Sequence, residues 1–172
     1  NAGALPAPIT LISQQTISPT LGTDSLKKAA IAGAIGTILI IIFMLAYYRF
    51  FGIFASMALL IYILLTLGIF KLIPITLSLA GLAGFILTIG MAVDANILIF
   101  ERVREEIKKG LSRTAAIEEG FRRAWPSIRD SNTSTIITAI ILYYFTSSFV
   151  RGFAVTLLIG VLVSMFSAIT TT

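Results

Sequence analysis

The stretch that decides the fold is residues 76–106, TLSLAGLAGFILTIGMAVDANILIFERVREE. Within it, residues 76–100 carry a single charged side chain, that of Asp94, and a run of charged residues follows at once. A helix of about 20 mostly apolar residues is long enough to cross the hydrocarbon core of a bilayer, which is roughly 30 Å thick. We therefore interpret residues 76–100 as a membrane-spanning helix and the charged run as its exit into water.

The composition of the whole chain indicates a membrane environment. Of its 172 residues 57% are hydrophobic and 12% are charged, with a mean hydropathy of +0.98, whereas soluble domains are about 25% charged. This excludes a water-soluble domain. The sequence contains no Cys and no His, which excludes thiol nucleophiles, disulfides, Cys/His metal sites and imidazole bases. We predict no metal and no cofactor, and any proton chemistry must use carboxylates.

The predicted fold class is all-α, a polytopic membrane helix bundle of five transmembrane helices with a short amphipathic cytoplasmic hairpin at residues 101–130. In that hairpin we expect two short helices, the second ended by Pro126, lying on the membrane surface or docking a partner. The transmembrane domain, residues 29–172, has its five spans predicted at about 29–48, 52–70, 76–100, 133–149 and 152–172.

Residues 1–28 are predicted to be extracytoplasmic and to form the end of a missing periplasmic domain. Several prolines break this segment, and β-branched residues with partial alternation predict a short strand over residues 9–17. Thr23 or Asp24 is expected to cap the first helix.

The distribution of basic residues predicts the orientation. Arg49 and the eight Lys and Arg residues of the hairpin lie on one side, against four on the other side, namely Lys27, Lys28, Lys71 and Arg151. Cytoplasmic loops carry the excess of Lys and Arg, so the N-terminal segment is expected outside and the C-terminus inside. The net charge of +5 therefore reports topology, and no nucleic-acid partner is predicted.

Asp94 is the candidate functional residue, because the other seven acidic residues lie outside the predicted spans or at their edges. It lies roughly 9 Å from the cytoplasmic end of its helix at about 1.5 Å per residue. An ionised carboxylate at such a depth costs on the order of 3 kcal/mol, so it should face protein or water. No Lys or Arg lies inside any predicted span, which points to a cationic partner on another subunit. The alternative is a structural buried acid.

Two further sets of residues are singled out. Hydroxyls on one face of the fourth predicted span could hold waters that lead to Asp94, or could instead serve helix capping and interhelical hydrogen bonds; they belong to Ser131, Thr135 and Thr138. Small residues that let helices approach closely predict helix packing; they are Gly84, Gly90, Gly160 and Ser164.

Several motifs closely resemble the SecD branch of the SecD/SecF family of bacterial protein-export membrane proteins. They are GMAVDANILIFERVREE at 90–106, GALPAPI at 3–9, TISPTLG at 16–22, AIEEGFR at 116–122, WP at 125–126 and DSN at 130–132. The resemblance covers nearly the whole chain. The VDAN and FER elements favour the SecD branch over the SecF branch.

The resemblance implies one half of a bundle of the resistance-nodulation-division (RND) superfamily, located in the cell inner membrane and lacking its first helix and its periplasmic domain. Its implied function is to use the proton motive force to promote protein export, without being an enzyme. Asp94 matches the family's proton-relay aspartate, whose cationic partner comes from SecF. The other implied partners are the SecYEG channel, YajC, YidC and unfolded exported proteins.

Two other functions stay open at this point. One is an RND-type transporter half for a lipid or a small apolar molecule, and the other is a scaffold subunit that conducts no protons. Replacement of Asp94 by Asn would separate a proton-conducting subunit from a scaffold.

Overall fold

The structure, a computed structural model, describes residues 19–73, 75 and 77–171, and all regular secondary structure within them is helical. The elements are α1 (Pro19–Tyr48), α2 (Phe50–Leu72), α3 (Leu79–Lys108), α4 (Arg113–Phe145) and α5 (Ser148–Thr171). The strand predicted over residues 9–17 lies outside the described residues, as does most of the predicted extracytoplasmic segment.

Helix α3 is the centre of the bundle and packs against each of the other four helices, while α5 also packs against α2 and α4. Its buried face includes Phe85, Ile89 and Val93, which join the cores formed with α1, α2 and α5. Further along α3, Ile99 and Val103 pack against α4. The helix that carries Asp94 is therefore the one through which the other helices are connected.

Helix α1 begins earlier than predicted, at Pro19, so the assignment of Thr23 or Asp24 as its cap is wrong. Proline is well suited to a first helical turn, because its fixed φ is helical and its missing N–H has no partner there in any case.

At the other end, α1 and α2 are separated by one residue, Arg49, which has φ 48° and ψ −109°. It is the only non-glycine residue with a positive φ among the described residues.

The separate cytoplasmic hairpin helices are a wrong prediction, because α3 runs on to Lys108 and α4 already begins at Arg113. The change from apolar to charged residues after Phe100 marks a change of surroundings and does not end the helix. Pairs on the helix surface support its continuation, such as Arg104 Nη1 with Glu101 Oε1 at 3.1 Å. The turn itself contains Gly110, with φ 95°, and the Ser112 hydroxyl caps α4 by accepting from the Ala115 N–H at 3.4 Å.

Pro126 does not end a helix as predicted but lies within α4. A proline leaves the carbonyl four residues earlier without its helical partner, and here that residue is Arg122, whose position is exposed. On both sides of the proline α4 is held against α3, since Ala124 and Ile128 are buried in the same core cluster. Packing therefore outweighs the local preference to stop.

The predicted bounds of the last two spans also change. Helix α4 ends at Phe145, and α5 begins at Ser148, where the Ser147 carbonyl accepts from the N–H groups of Val150 and Arg151 at 3.1 and 3.2 Å. Among the described residues, four helices are long and apolar enough to cross a membrane; these are Gly22–Tyr48, Phe50–Leu72, Leu79–Lys108 and Ser148–Thr170. Helix α4 is more polar and is not one of them.

Candidate functional site

Asp94 lies on the rim of a cavity of about 270 Å³ between α3 and α4. Each helix contributes one stripe of residues at spacings of three and four, so the two stripes face each other along antiparallel helices. The lining residues are Met91, Asp94, Ala95 and Leu98 from α3 and Ile128, Ser131, Asn132 and Thr135 from α4. The structure thus brings Asp94 together with two of its three predicted hydroxyl neighbours.

The third predicted neighbour, Thr138, does not line this cavity, whereas Asn132 does. Asn132 is 8% exposed and is not among the residues predicted for the site. Spacings of three and four on α4 also group Ile128, Ser131, Asn132 and Thr135, and this stripe could have identified Asn132. It overlaps the predicted face of Ser131, Thr135 and Thr138 but is turned slightly around the helix from it.

The hydroxyl hydrogens on this part of α4 are used within the helix itself. Ser131 donates to the Ile128 carbonyl at 3.1 Å, Thr135 to the Ser131 carbonyl at 3.0 Å, and Thr138 to the Ser134 carbonyl at 2.9 Å. Because α4 begins far upstream, none of the three caps a helix, and these bonds are not interhelical. The hydroxyl oxygens retain lone pairs that can accept hydrogen bonds from water.

Asp94 itself is exposed at the surface of the chain. Leu87 and Ala83, about two and three turns earlier on α3, are exposed too, and a Cβ added to Gly90 would meet no described atom within 4 Å. Among the described residues Asp94 forms no ion pair. The face of α3 that carries the acid is therefore the face that the described part of the chain leaves uncovered.

Three of the four predicted packing residues are buried within the bundle, and the fourth, Gly90, is not. A Cβ on Gly160 would lie 2.5 Å from Thr88 Oγ1, and one on Gly84 would lie 2.9 Å from the Phe153 carbonyl oxygen, so both glycines lie in the contact between α3 and α5. Ser164 is 2% exposed on α5, and its hydroxyl has no hydrogen-bond partner among the described residues. Gly90 does not lie in a contact between described helices.

On the opposite side of α3, Asn96 is buried, and its Nδ2 donates to the Ala92 carbonyl at 3.4 Å, within the same helix. It lines a different cavity, shared with α2. As for metal binding, the described residues contain no group of three acidic, Cys or His side chains that could hold an ion.

Fold and site together define a membrane-embedded helix bundle with one carboxylate on the uncovered face of its central helix. The family model described as protein export membrane protein SecD/SecF, C-terminal, matches residues 4–172. The chain belongs to this family, which confirms the resemblance inferred from the motifs around Asp94.

The chain is similar to curated relatives named protein translocase subunit SecD. It is 50% identical over 168 residues to that of Synechocystis, covering 98% of this chain and 36% of the relative. With that of Thermobaculum terrenum it is 52% identical over 172 residues, covering 98% of this chain and 33% of the relative. The chain thus spans about a third of the length of these relatives.

Two solved structures have the same fold. SecDF from Thermus thermophilus, described as a translocon-associated membrane protein, aligns with a TM-score of 0.86 at 42% identity over 89% of this chain and 21% of that one. A SecDF structure described as a super-membrane-facing form aligns with a TM-score of 0.80 at 43% identity over 88% of this chain and 21% of that one.

Proposed function

We propose that this chain is the membrane region of a SecD-type translocase subunit and that it couples proton movement through Asp94 to protein export. The observation that carries the proposal is the position of Asp94: it is exposed on the central helix, beside a cavity to which α4 contributes polar side chains, and it has no ion partner in the described chain. The names of the similar proteins, translocase subunit and translocon-associated membrane protein, support the same function.

An uncovered carboxylate in the hydrocarbon region requires a partner. Facing lipid, the ionised form would cost on the order of 3 kcal/mol, and the apolar stretches predicted as spans contain no Lys or Arg to offset that. We infer that a second subunit covers the stripe from Ala83 to Asp94 and supplies a cation there. By family resemblance that subunit is SecF.

The cavity beside Asp94 is suited to deliver protons. At about 270 Å³ it has room for several waters, each of which takes up about 30 Å³ in the liquid. Ser131 and Thr135 offer hydroxyl oxygens, and Asn132 offers an amide, so such waters find polar partners on α4. A proton could then pass from the cytoplasmic side of α4 to the Asp94 carboxylate.

Protonation would neutralise Asp94 and weaken its attraction to the cation of the partner subunit, so the contact between the two subunits would have two states. Helix α3 continues without interruption from this contact into the charged extension that packs on α4. A shift at Asp94 would therefore move both helices together. Helix α1, packed on α3, is the route towards the extracytoplasmic domain implied by the resemblance.

We further propose five spans, with α4 as the fourth, in the inner membrane with the N-terminal segment outside. Helix α4 lies against both α3 and α5. Its side-chain hydroxyls donate hydrogen bonds to backbone carbonyls of the same helix, which lowers the free-energy cost of placing them in a membrane. Its polar side faces the cavity of Asp94. By resemblance the further partners are the SecYEG channel, YajC, YidC and exported proteins.

The test is Asp94→Asn in the full-length protein assembled with its partner subunit, with proton flux and protein export measured on the same membranes. We expect both to fall to the level of vesicles that lack the complex, because an amide takes up no proton in this pH range. The matched control is Asp24→Asn, which removes an exposed carboxylate paired with Lys28 and should leave both activities unchanged. Unchanged flux and export in Asp94→Asn would contradict the proposal and favour a scaffold.

A further inference from the structure

Two adjoining cavities lie on the side of α3 away from Asp94, where α2 and the start of α4 meet it. One measures about 240 Å³ and the other about 400 Å³. They share four lining residues, so they form one continuous groove; the shared residues are Phe50, Phe51, Val103 and Ile117. We call this the α2–α3 groove. Its deep end is at Asn96 and its other end is at Arg113.

The groove has the length of one acyl chain. Along α3 its lining extends from Asn96 to Ile107, which is about 16 Å at roughly 1.5 Å per residue. That length is about half of the hydrocarbon core of roughly 30 Å, as one acyl chain requires. The part of the groove at Asn96, Ile99 and Phe100 lies within the predicted span, and the part at Val103 and Ile107 lies beyond it, towards Arg113. A helix is at least 10 Å across, and one of this length would need on the order of 1,000 Å³. The two cavities, at about 240 and 400 Å³, are therefore too small to enclose a transmembrane helix of a partner.

The charges at the open end of the groove favour an anionic ligand. Arg113 lines the groove and is exposed, and Arg49 directly precedes the lining residue Phe50 and is exposed as well. Neither arginine forms an ion pair with a described residue, although several neighbouring charged residues of α3 and α4 are paired, as in Arg122 with Glu119 at 2.6 Å. No acidic residue lines either cavity.

The backbone conformation of Arg49 is a second observation in favour of an anionic ligand. Its φ of 48° and ψ of −109° fall in a region that glycine adopts readily, whereas an arginine there is strained by roughly 1–3 kcal/mol. Glycine would make the same one-residue connection between α1 and α2 without this strain. An arginine held there is consistent with a use for its charge, and the groove is the feature beside it.

We propose that the α2–α3 groove binds one anionic phospholipid, with an acyl chain between α2 and α3 and the phosphate bound by Arg113 and Arg49. Basic pockets between transmembrane helices at the cytoplasmic surface bind lipids of this class. Only the choice of leaflet rests on the proposed orientation; the site itself requires neither proton movement nor a role for Asp94.

The test is native mass spectrometry of the full complex, titrated with phosphatidylglycerol or, separately, with phosphatidylethanolamine of the same chains. We expect tighter retention of phosphatidylglycerol, and about fivefold weaker binding of it for each arginine removed in Arg113→Gln and Arg49→Gln. Arg49→Gly is a second variant, which relieves the backbone strain and so preserves the fold while it removes the charge. The control is Arg122→Gln, which removes an arginine that is paired with Glu119 and does not line the groove.

Equal retention of the two lipids, or equal phosphatidylglycerol binding by Arg113→Gln, Arg49→Gly and Arg122→Gln, would overturn the proposal. The position of the chain is tested with phosphatidylglycerol carrying a photoreactive group at its acyl end. Labelling of Phe54, Ala58 or Ile99 supports the site, and labelling confined to α1, which contributes no lining residue to the groove, refutes it. Because these measurements do not involve proton flux, the failure of this proposal and that of the proposed function can be distinguished.

Discussion

At the scale of single residues, the sequence identifies Asp94 because it is the only charge in a long apolar run, and the structure adds what surrounds it. Counting by threes and fours could place Gly84 and Gly90 near the same face as Asp94, but it could not tell which of them is covered. Gly84 packs on α5, and Gly90 faces open space. The difference depends on where α5 lies, and no local pattern in α3 contains that information.

The contact at Gly160 gives a prediction at this scale. A Cβ there would lie 2.5 Å from Thr88 Oγ1 and 2.6 Å from its Cβ, and Thr88 is fully buried, so it cannot move aside. Gly160→Ala should therefore destabilise the protein by about 1–3 kcal/mol, as is typical of overpacked cores. Thermal unfolding of the purified protein in detergent would measure it.

Gly68→Ala is the matched control for this experiment. Gly68 is also inside a helix, α2, but an added Cβ would meet no described atom within 4 Å. There the substitution should be neutral or stabilising by up to about 1 kcal/mol, because alanine favours the helix over glycine. Equal stability of the two variants would show that α3 and α5 do not pack this closely.

At the scale of elements, each of α1, α2, α3 and α5 overlaps one predicted apolar stretch, but the helices differ from the predicted bounds, and the charged stretch between Glu101 and Asp130 does not form a separate hairpin. A switch in polarity predicts where a helix leaves the membrane, but it does not predict where the helix ends. Here ion pairs extend α3, and burial of small residues on α4, such as Ala116 and Ala124, holds the second helix through Pro126. Such packing joins residues that are far apart in sequence, so periodicity within one element could not reveal it.

The charged end of α3, residues 101–108, and the charged start of α4, residues 113–130, are the two extensions of the bundle. Glu106 joins them, which leads to a prediction at the scale of elements. Its side chain is 6% exposed and pairs with Lys109 Nζ at 2.7 Å on α3 and with Arg123 on α4. Glu106→Gln removes the charge and weakens both pairs, so it should lower the temperature of unfolding. Glu118→Gln, an exposed position on α4 that forms no ion pair with a described residue, should leave it unchanged. A similar temperature in both variants would mean that the extensions are held by their apolar contacts alone.

At the scale of the whole molecule, the arrangement of the helices leaves one stripe of α3 uncovered, and this is where we propose that a partner subunit binds. Helices α1, α2, α4 and α5 cover the rest of α3, and the uncovered stripe contains the one acid of the apolar region. The prediction that Asp94 needs an outside partner could be made from the sequence, because no Lys or Arg lies in the predicted spans. It could not predict the cavity shared with α4, because that depends on how two antiparallel helices are aligned.

The proposed path of the chain through the membrane gives the last prediction, which depends on whether α4 crosses. Helix α4 is about 50 Å long at roughly 1.5 Å per residue, but only its second half is apolar, so composition does not decide the question. The sequence contains no Cys, so single cysteines can be introduced at Lys27, Leu111 and Ser147 in a full-length protein whose other cysteines have been replaced. Each position is exposed. A membrane-impermeant maleimide added to intact cells should label Lys27→Cys and Ser147→Cys, and Leu111→Cys should react only after the membrane is opened. If Ser147→Cys behaves like Leu111→Cys instead, then α4 does not cross, and the proposal of five spans is wrong.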